Sequence, residues 1–216
     1  MLRALPSIRK KQLVGITGIV LVLFIIGHLS GNLLIFKGAK AFNDYAHFLE
    51  SLGGLLWAIR IGLLSAFILH IYLTMLIVLE NRRARPQNYE VNADHVDSPS
   101  FAAKTMRYTG PLILAFVIMH LANFSFGTKQ GLVNGVESGL FGLVVNTLSQ
   151  PLYAAIYIIS MIVLGLHLSH SIQSVCQTLG VVNRNVLPII RKISLAIGVI
   201  VMLGFSSIPI YIMVTY

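Results

Sequence analysis

Charge is what this chain has least of. Only 11% of its residues are Asp, Glu, Lys or Arg, less than half the roughly 25% of an ordinary soluble domain. Acidic side chains are the scarcer sign: seven, against 16 Lys and Arg. With 56% hydrophobic residues and a mean hydropathy of +0.82, the chain is read as an integral membrane protein. The single cysteine, Cys176, excludes an internal disulfide and any cluster held by several thiolates. No C-x-x-C-H occurs, which excludes covalent c-type haem attachment. The net charge of +9 would suggest nucleic acid in a soluble protein. In a membrane chain it reflects Lys and Arg collected in cytoplasmic loops, so no nucleic-acid partner is expected.

What the chain does have is five long apolar runs, at about 12–36, 55–79, 109–126, 152–177 and 193–214. Each approaches or exceeds the roughly 20 residues that carry a helix across a bilayer. The expected fold is therefore all-α: one membrane domain, residues 1–216, with five transmembrane helices. The first run follows the basic segment Met1–Lys11, but at about 25 residues it outruns the roughly 7–15 of a signal h-region. Lys37–Ser51 is polar and reads as an interfacial segment or short helix, carrying His47 and Glu50. Glu80–Arg107 is the longest polar stretch and holds His95 in a solvated position. The glycine-rich region up to Gln150 reads as a loop with an interfacial piece. Pro111 is expected in the first turn of the third span, where proline is tolerated. Pro151 opens the fourth, and Pro209 is placed to kink the end of the fifth. No internal repeat or low-complexity segment is read.

With the N-terminus cytoplasmic, the inner segments hold Arg3, Arg9, Lys10, Lys11, Arg82, Arg83, Arg85, Lys104, Arg107, Arg184, Arg191 and Lys192, which is 12 of the 16 basic residues. The outer segments keep Lys37, Lys40, Arg60 and Lys129. The bias predicts N-in and C-out.

Four of the runs share an oddity: a histidine well inside, at His28, His70, His120 and His167. Hydrocarbon offers an imidazole no partner, so each must find one in the protein. At about 1.5 Å per residue, His28 and His120 stand roughly 24 and 18 Å from the inner edge. His70 and His167 stand at about 15 Å. The four sort into an upper pair (His28, His120) and a lower pair (His70, His167), each from non-consecutive spans. Two neutral imidazoles on facing helices at matched depth suit the two axial positions of a haem iron. Small neighbours would let a flat macrocycle approach: Gly27, Ser30 and Gly31 beside His28, and Gly165, Ser169 and Ser171 beside His167. With both axial positions filled, the chemistry would be one-electron transfer. The rival reading is a haem-free, histidine-lined path for protons or metal ions; against it, no Asp or Glu lies within any of the apolar runs. His170, one turn beyond His167, is an alternative ligand or a contact behind it.

These residues resemble a known family. FIIGHLSGNLLIF around His28, AFNDYAHFLES at 41–51, MRYTGPLILAFVIMHLANF around His120 and GLHLSHSIQSVCQTLG from Gly165 look like the dihaem cytochrome b membrane anchor of succinate dehydrogenase or fumarate reductase, in its five-helix, single-anchor, b558-type form. The resemblance covers nearly the whole chain. It implies two b haems, with His28 and His120 as axial iron ligands of the distal one and His70 and His167 of the proximal one. The family spacing favours His167, with Ser171 four residues on, over His170. It implies a flavoprotein subunit that interconverts succinate and fumarate, an iron–sulfur subunit, a quinone (usually menaquinone in this form), and a bacterial cytoplasmic membrane. The anchor itself would do no succinate chemistry but would carry the quinone-reactive site. Glu50 resembles a glutamate of members that oxidise menaquinol near the distal haem, with His47 as a companion. Quinone chemistry needs such a titratable group because protons move with the electrons. Arg82, Arg83, Arg85, Lys104 and Arg107 either dock the iron–sulfur subunit or only set topology. One position departs: some members carry a transmembrane glutamate two residues before the fourth-helix ligand, and here that position is Gly165. The cytochrome b subunit of another quinone-linked membrane dehydrogenase is the alternative within the haem reading.

Overall fold

The structure, a computed structural model, describes residues 5–84, 101–126, 131–133 and 136–216. Long apolar segments become helices because only a helix satisfies its own backbone groups in hydrocarbon. The order is α1 (Ser7–Asn32), a 3₁₀ turn (Leu33–Lys37), α2 (Ala39–Ser51), α3 (Gly54–Ala84), α4 (Phe101–Phe124), β1 (Leu132–Val133), β2 (Val136–Glu137), α5 (Gly139–Leu148), α6 (Pro151–Thr178) and α7 (Leu187–Thr215). Apart from the two-residue antiparallel ladder of β1 and β2, the described residues form helices and turns. Among the described residues, five helices are long and apolar enough to cross a membrane, α1 with its 3₁₀ turn, α3, α4, α6 and α7. Their outward faces carry large apolar side chains such as Leu23, Leu64, Ile118 and Leu203, which suits contact with lipid.

The helices overrun the apolar runs. Hydropathy marks where side chains turn polar, whereas the hydrogen-bond ladder continues into the basic flanks. The third span shows this best. It was expected at about 109–126, but α4 begins at Phe101, so Pro111 lies inside the helix and not in its first turn. Proline survives there because a membrane bundle supplies other partners to the freed carbonyl. Lys37–Ser51 resolves into the end of the 3₁₀ turn and the helix α2. The interfacial piece before Pro151 is α5, an apolar helix of ten residues. His95 and Arg85 lie outside the described residues.

The chain threads α1 up, α3 down, α4 up, α6 down and α7 up; "upper" denotes the end carrying α2 and α5. α1 packs on α3 and on α6, α4 packs on α6, and α7 lies along α6. Among the described residues α3 meets only α1 closely, and it buries only Leu73 and Leu76. The tightest seam is α6 on α7. A Cβ on Gly165 would fall 2.9 Å from the Gly198 carbonyl oxygen and 2.9 Å from Met202 Cβ. The two backbones touch, and only glycine permits that.

Burial concentrates at the upper end, where Ile35, Phe42, Phe141, Leu148, Tyr157 and Ile212 form one cluster. A single side chain ties the outer segments together. Asn43 of α2 donates from Nδ2 to the Ser138 carbonyl at 3.0 Å and accepts at Oδ1 from the Phe141 amide at 3.0 Å. It thereby caps α5 from a neighbouring helix. At the lower end Lys10 of α1, with 3% of its side chain exposed, pairs with Glu80 of α3 at 2.5 Å. The chain turns from α6 to α7 at Gly180, whose φ is 74°. Asn183 Oδ1 then accepts from the amides of Asn185 and Val186 at 3.0 Å each, and α7 starts with proline in its first turn.

Candidate functional site

His28 on α1 and His120 on α4 come together near the upper end. Their ring centroids are 5.9 Å apart and their planes nearly perpendicular, at 85°. Aromatic rings surround them. Phe24 stacks on His28 at 5.3 Å and Phe205 of α7 lies 5.8 Å away. Phe116, Phe124 and Tyr157 stand 5.7, 5.4 and 6.0 Å from His120. The helical repeat supplies part of this wall, since Phe24, Phe116 and Phe124 are each four residues from their histidine. Polar contacts are fewer and longer. Tyr157 Oη lies 3.4 Å from His120 Nδ1 and accepts from Asn123 Nδ2 at 3.2 Å. Asn32 Nδ2 donates to the His28 carbonyl at 2.8 Å and stands 3.3 and 3.4 Å from its two ring nitrogens.

The lower level is built differently. His70 on α3 meets Thr17 of α1, Oγ1 to Nδ1, at 3.1 Å. His167 on α6 meets Thr109 of α4 through the same atoms at the same 3.1 Å. His70 and His170 both lie within electrostatic reach of His167. Gly18 lets the His70 ring approach, since a Cβ there would sit 3.4 Å from His70 Cε1. All five histidines of the transmembrane helices are half-buried.

The small residues expected to make room for a flat group serve other contacts. The space over Gly31 is taken by Tyr45 of α2. Gly165 and Ser169 form the α6–α7 seam, where Ser169 Cβ would lie 3.2 Å from a Cβ on Gly198. Ser171 hydrogen-bonds the His167 carbonyl at 2.6 Å. Of the set beside His28, Gly27 faces open space. Gly165 also shows why the departure noted there is a structural one, because a side chain at that position would collide with the Gly198 backbone.

His47 and Glu50 lie one turn apart on α2, Nδ1 to Oε2 at 3.7 Å, with 78% and 47% of their side chains exposed. α2 reaches the His28 turn through Tyr45, which rests on Gly31. The pair therefore sits at the rim of the upper level.

Two nitrogens each about 2 Å from one metal place their ring centres roughly 6 Å apart. The 5.9 Å between His28 and His120 fits that spacing. Among the described residues no three His, Cys, Asp or Glu side chains converge. A cage made by protein alone needs more ligands than two. Two imidazoles suit a metal that brings its own equatorial ligands, as haem iron does.

Thr17, Thr109, Tyr157 and Asn123 were not among the residues singled out from sequence. A signal did exist. Thr17-Gly18 and Thr109-Gly110 each precede a histidine, His28 and His120, with nine residues between glycine and histidine in both cases. This short correspondence escapes a search for repeats of whole structural units, and its meaning appears only when α3 and α6 are set beside it.

The chain is similar to the succinate dehydrogenase cytochrome b558 subunit of Bacillus subtilis (strain 168), with 26% identity over 201 residues, covering 92% of this chain and 91% of that one. No family model and no solved structure matches it.

Proposed function

We propose that this chain is the membrane-anchor and electron-transfer subunit of a succinate:quinone oxidoreductase, holding two b-type haems one above the other. The observation that carries the reading is the approach of His28 and His120 from separate helices at the spacing one metal requires. The similarity over nearly the full length to a protein named for cytochrome b558 of succinate dehydrogenase supports it.

On this reading His28 and His120 would hold the upper, distal haem, and His70 and His167 the lower, proximal one. Bound there, haem b would supply one-electron transfer. The chain's own residues do the rest. Phe24, Phe116, Phe124 and Phe205 exclude water around the upper imidazoles. Thr17 and Thr109 orient the lower ones. His170, close to His167, backs the lower level from the same helix. Glu50 and His47, at the rim on α2, take up and release protons for a quinone, for which menaquinone is the expected species. Gly165 offers no carboxylate, so no proton route of the helix-borne glutamate kind runs beside His167. The basic lower end, with Arg82, Arg83, Lys104 and Arg107, faces the cytoplasm of a bacterial cell and receives the iron–sulfur subunit, which a flavoprotein subunit feeds. Succinate chemistry belongs to that flavoprotein.

The test is purification in mild detergent followed by addition of succinate. The expected result is a red preparation containing a flavoprotein and an iron–sulfur protein, whose b-type absorption bands sharpen when succinate is added. A red preparation with other partners, unresponsive to succinate, would assign the chain to a different quinone-linked dehydrogenase. A colourless one with all subunits present would leave a haem-free transporter.

A further inference from the structure

We propose that Thr17 and Thr109 are paired positioning residues, each accepting a hydrogen bond from Nδ1–H of a lower histidine (His70 and His167) and so leaving Nε2 as the bare nitrogen for a shared metal. The inference rests on the haem reading and concerns residues outside the ligand set.

A hydroxyl has one hydrogen to give. Thr17 Oγ1 lies 2.9 Å from the Leu13 carbonyl and 3.0 Å from that of Val14. Thr109 Oγ1 lies 3.2 Å from the Met106 carbonyl. A carbonyl can only accept, so in this assignment each hydroxyl hydrogen goes to its own preceding turn, as is ordinary for a threonine inside a helix. What each oxygen then presents to the ring nitrogen 3.1 Å away is a lone pair. That contact is favourable only if Nδ1 carries the proton. A neutral imidazole has one N–H, and placing it on Nδ1 frees Nε2.

The sequence uses the device twice. Thr17 and His28 are eleven residues apart, and so are Thr109 and His120. Eleven residues make three helical turns plus about 20°, so each threonine lies on the face of its histidine and roughly 16 Å below it. α1 and α4 thus each send a histidine to the upper level and a hydroxyl to the lower one. α3 and α6 each answer the hydroxyl with a histidine. A lone threonine in a membrane helix satisfies itself on the preceding turn and needs no other partner. Two of them, one on α1 and one on α4, meet the same ring atom of a histidine at the same distance, as would suit two ligands of one metal. Acceptors behind Nδ1–H orient the ring and raise its basicity, which favours the oxidised metal.

The experiment uses the whole complex with Thr17→Val, Thr109→Val, Thr17→Ser and Thr109→Ser, reading haem content and a redox titration of each haem. The valine variants keep the side-chain shape and remove the acceptor. In them the lower haem's midpoint potential moves upward and its retention weakens by about tenfold. The upper haem keeps both properties, and the serine variants restore the lower one. The inference is overturned if valine leaves the lower haem unmoved, if both haems shift alike, or if serine behaves as valine. Where a valine variant does not accumulate, electron–nuclear double resonance on the wild type, with ¹⁵N-labelled histidine, decides. An Nδ1 proton on both lower ligands with the coupling of an N–H held by an oxygen acceptor supports the assignment, and an Nδ1 proton without a hydrogen-bond partner, or none at all, overturns it. Two haems with unmoved valine variants defeat this inference alone, whereas a wild type without haem defeats the reading beneath it.

Discussion

The two histidine levels differ in what surrounds them. The upper pair is walled by phenyl rings, and among the described residues its one hydroxyl contact is Tyr157 at 3.4 Å. The lower pair is backed by two threonine hydroxyls at 3.1 Å. Phenyl packing and the longer contacts of Asn32 and Tyr157 hold the upper rings; the shorter threonine contacts meet the lower ones. The ends beyond them differ in the same sense. The upper end closes with α2 and α5 in an apolar cluster pinned by Asn43, while the lower end carries Lys10 paired with Glu80 and a fringe of arginines. On the proposed reading, one bundle gives two imidazole pairs unlike surroundings, which is the means a protein has to tune two chemically identical groups apart.

The largest expected effect separates the levels outright. His28→Ala or His120→Ala removes the upper haem and spares the lower; His70→Ala or His167→Ala does the reverse. Haem-to-protein ratio with a redox titration checks this, and equal loss of both haems in every variant would erase the distinction between levels. Next is Gly165→Glu, which tests whether the seam beside His167 admits a carboxylate. With the Gly198 carbonyl 2.9 Å from the first side-chain atom, overpacking and a buried charge together cost more than about 3 kcal/mol. Thermal unfolding in detergent should show a large loss, and a wild-type midpoint would mean that the helices part freely. Asn43→Ala, at the upper end, removes the cap of α5 and should cost about 0.5–2 kcal/mol, read in the same assay, with the lower haem untouched. The smallest is Tyr157→Phe. A long hydrogen bond to His120 is worth at most about 0.5 kcal/mol, or roughly 20 mV for one electron. The upper potential should move by no more than that and the lower not at all.

The existence of the spans and the oddity of four intramembrane histidines were legible in the letters, because hydrocarbon leaves a long apolar run no other fold and an imidazole no other escape. Helix ends were not. Lys104 and Arg107 stop the apolar run but not the helix, so α4 starts at Phe101 and Pro111 moves from an expected first turn to the interior. The same error hid Thr109. It is the first residue of the expected span; within the longer helix it faces His167. Gly31 and Gly165 were legible as small but not in their use, since their partners, Tyr45 and Gly198, come from elements whose register sequence does not fix. Asn43 is the same case: its hydrogen bonds to Ser138 and Phe141 join segments far apart in the chain.

Two imidazole pairs at two heights are the centre of the account, and haem stoichiometry in the purified wild-type complex tests them most directly. Pyridine haemochrome analysis against quantified protein, with a potentiometric titration of the same sample, should give two haem b per chain titrating as two separate one-electron components. A single haem, or none in an otherwise intact complex, would contradict it.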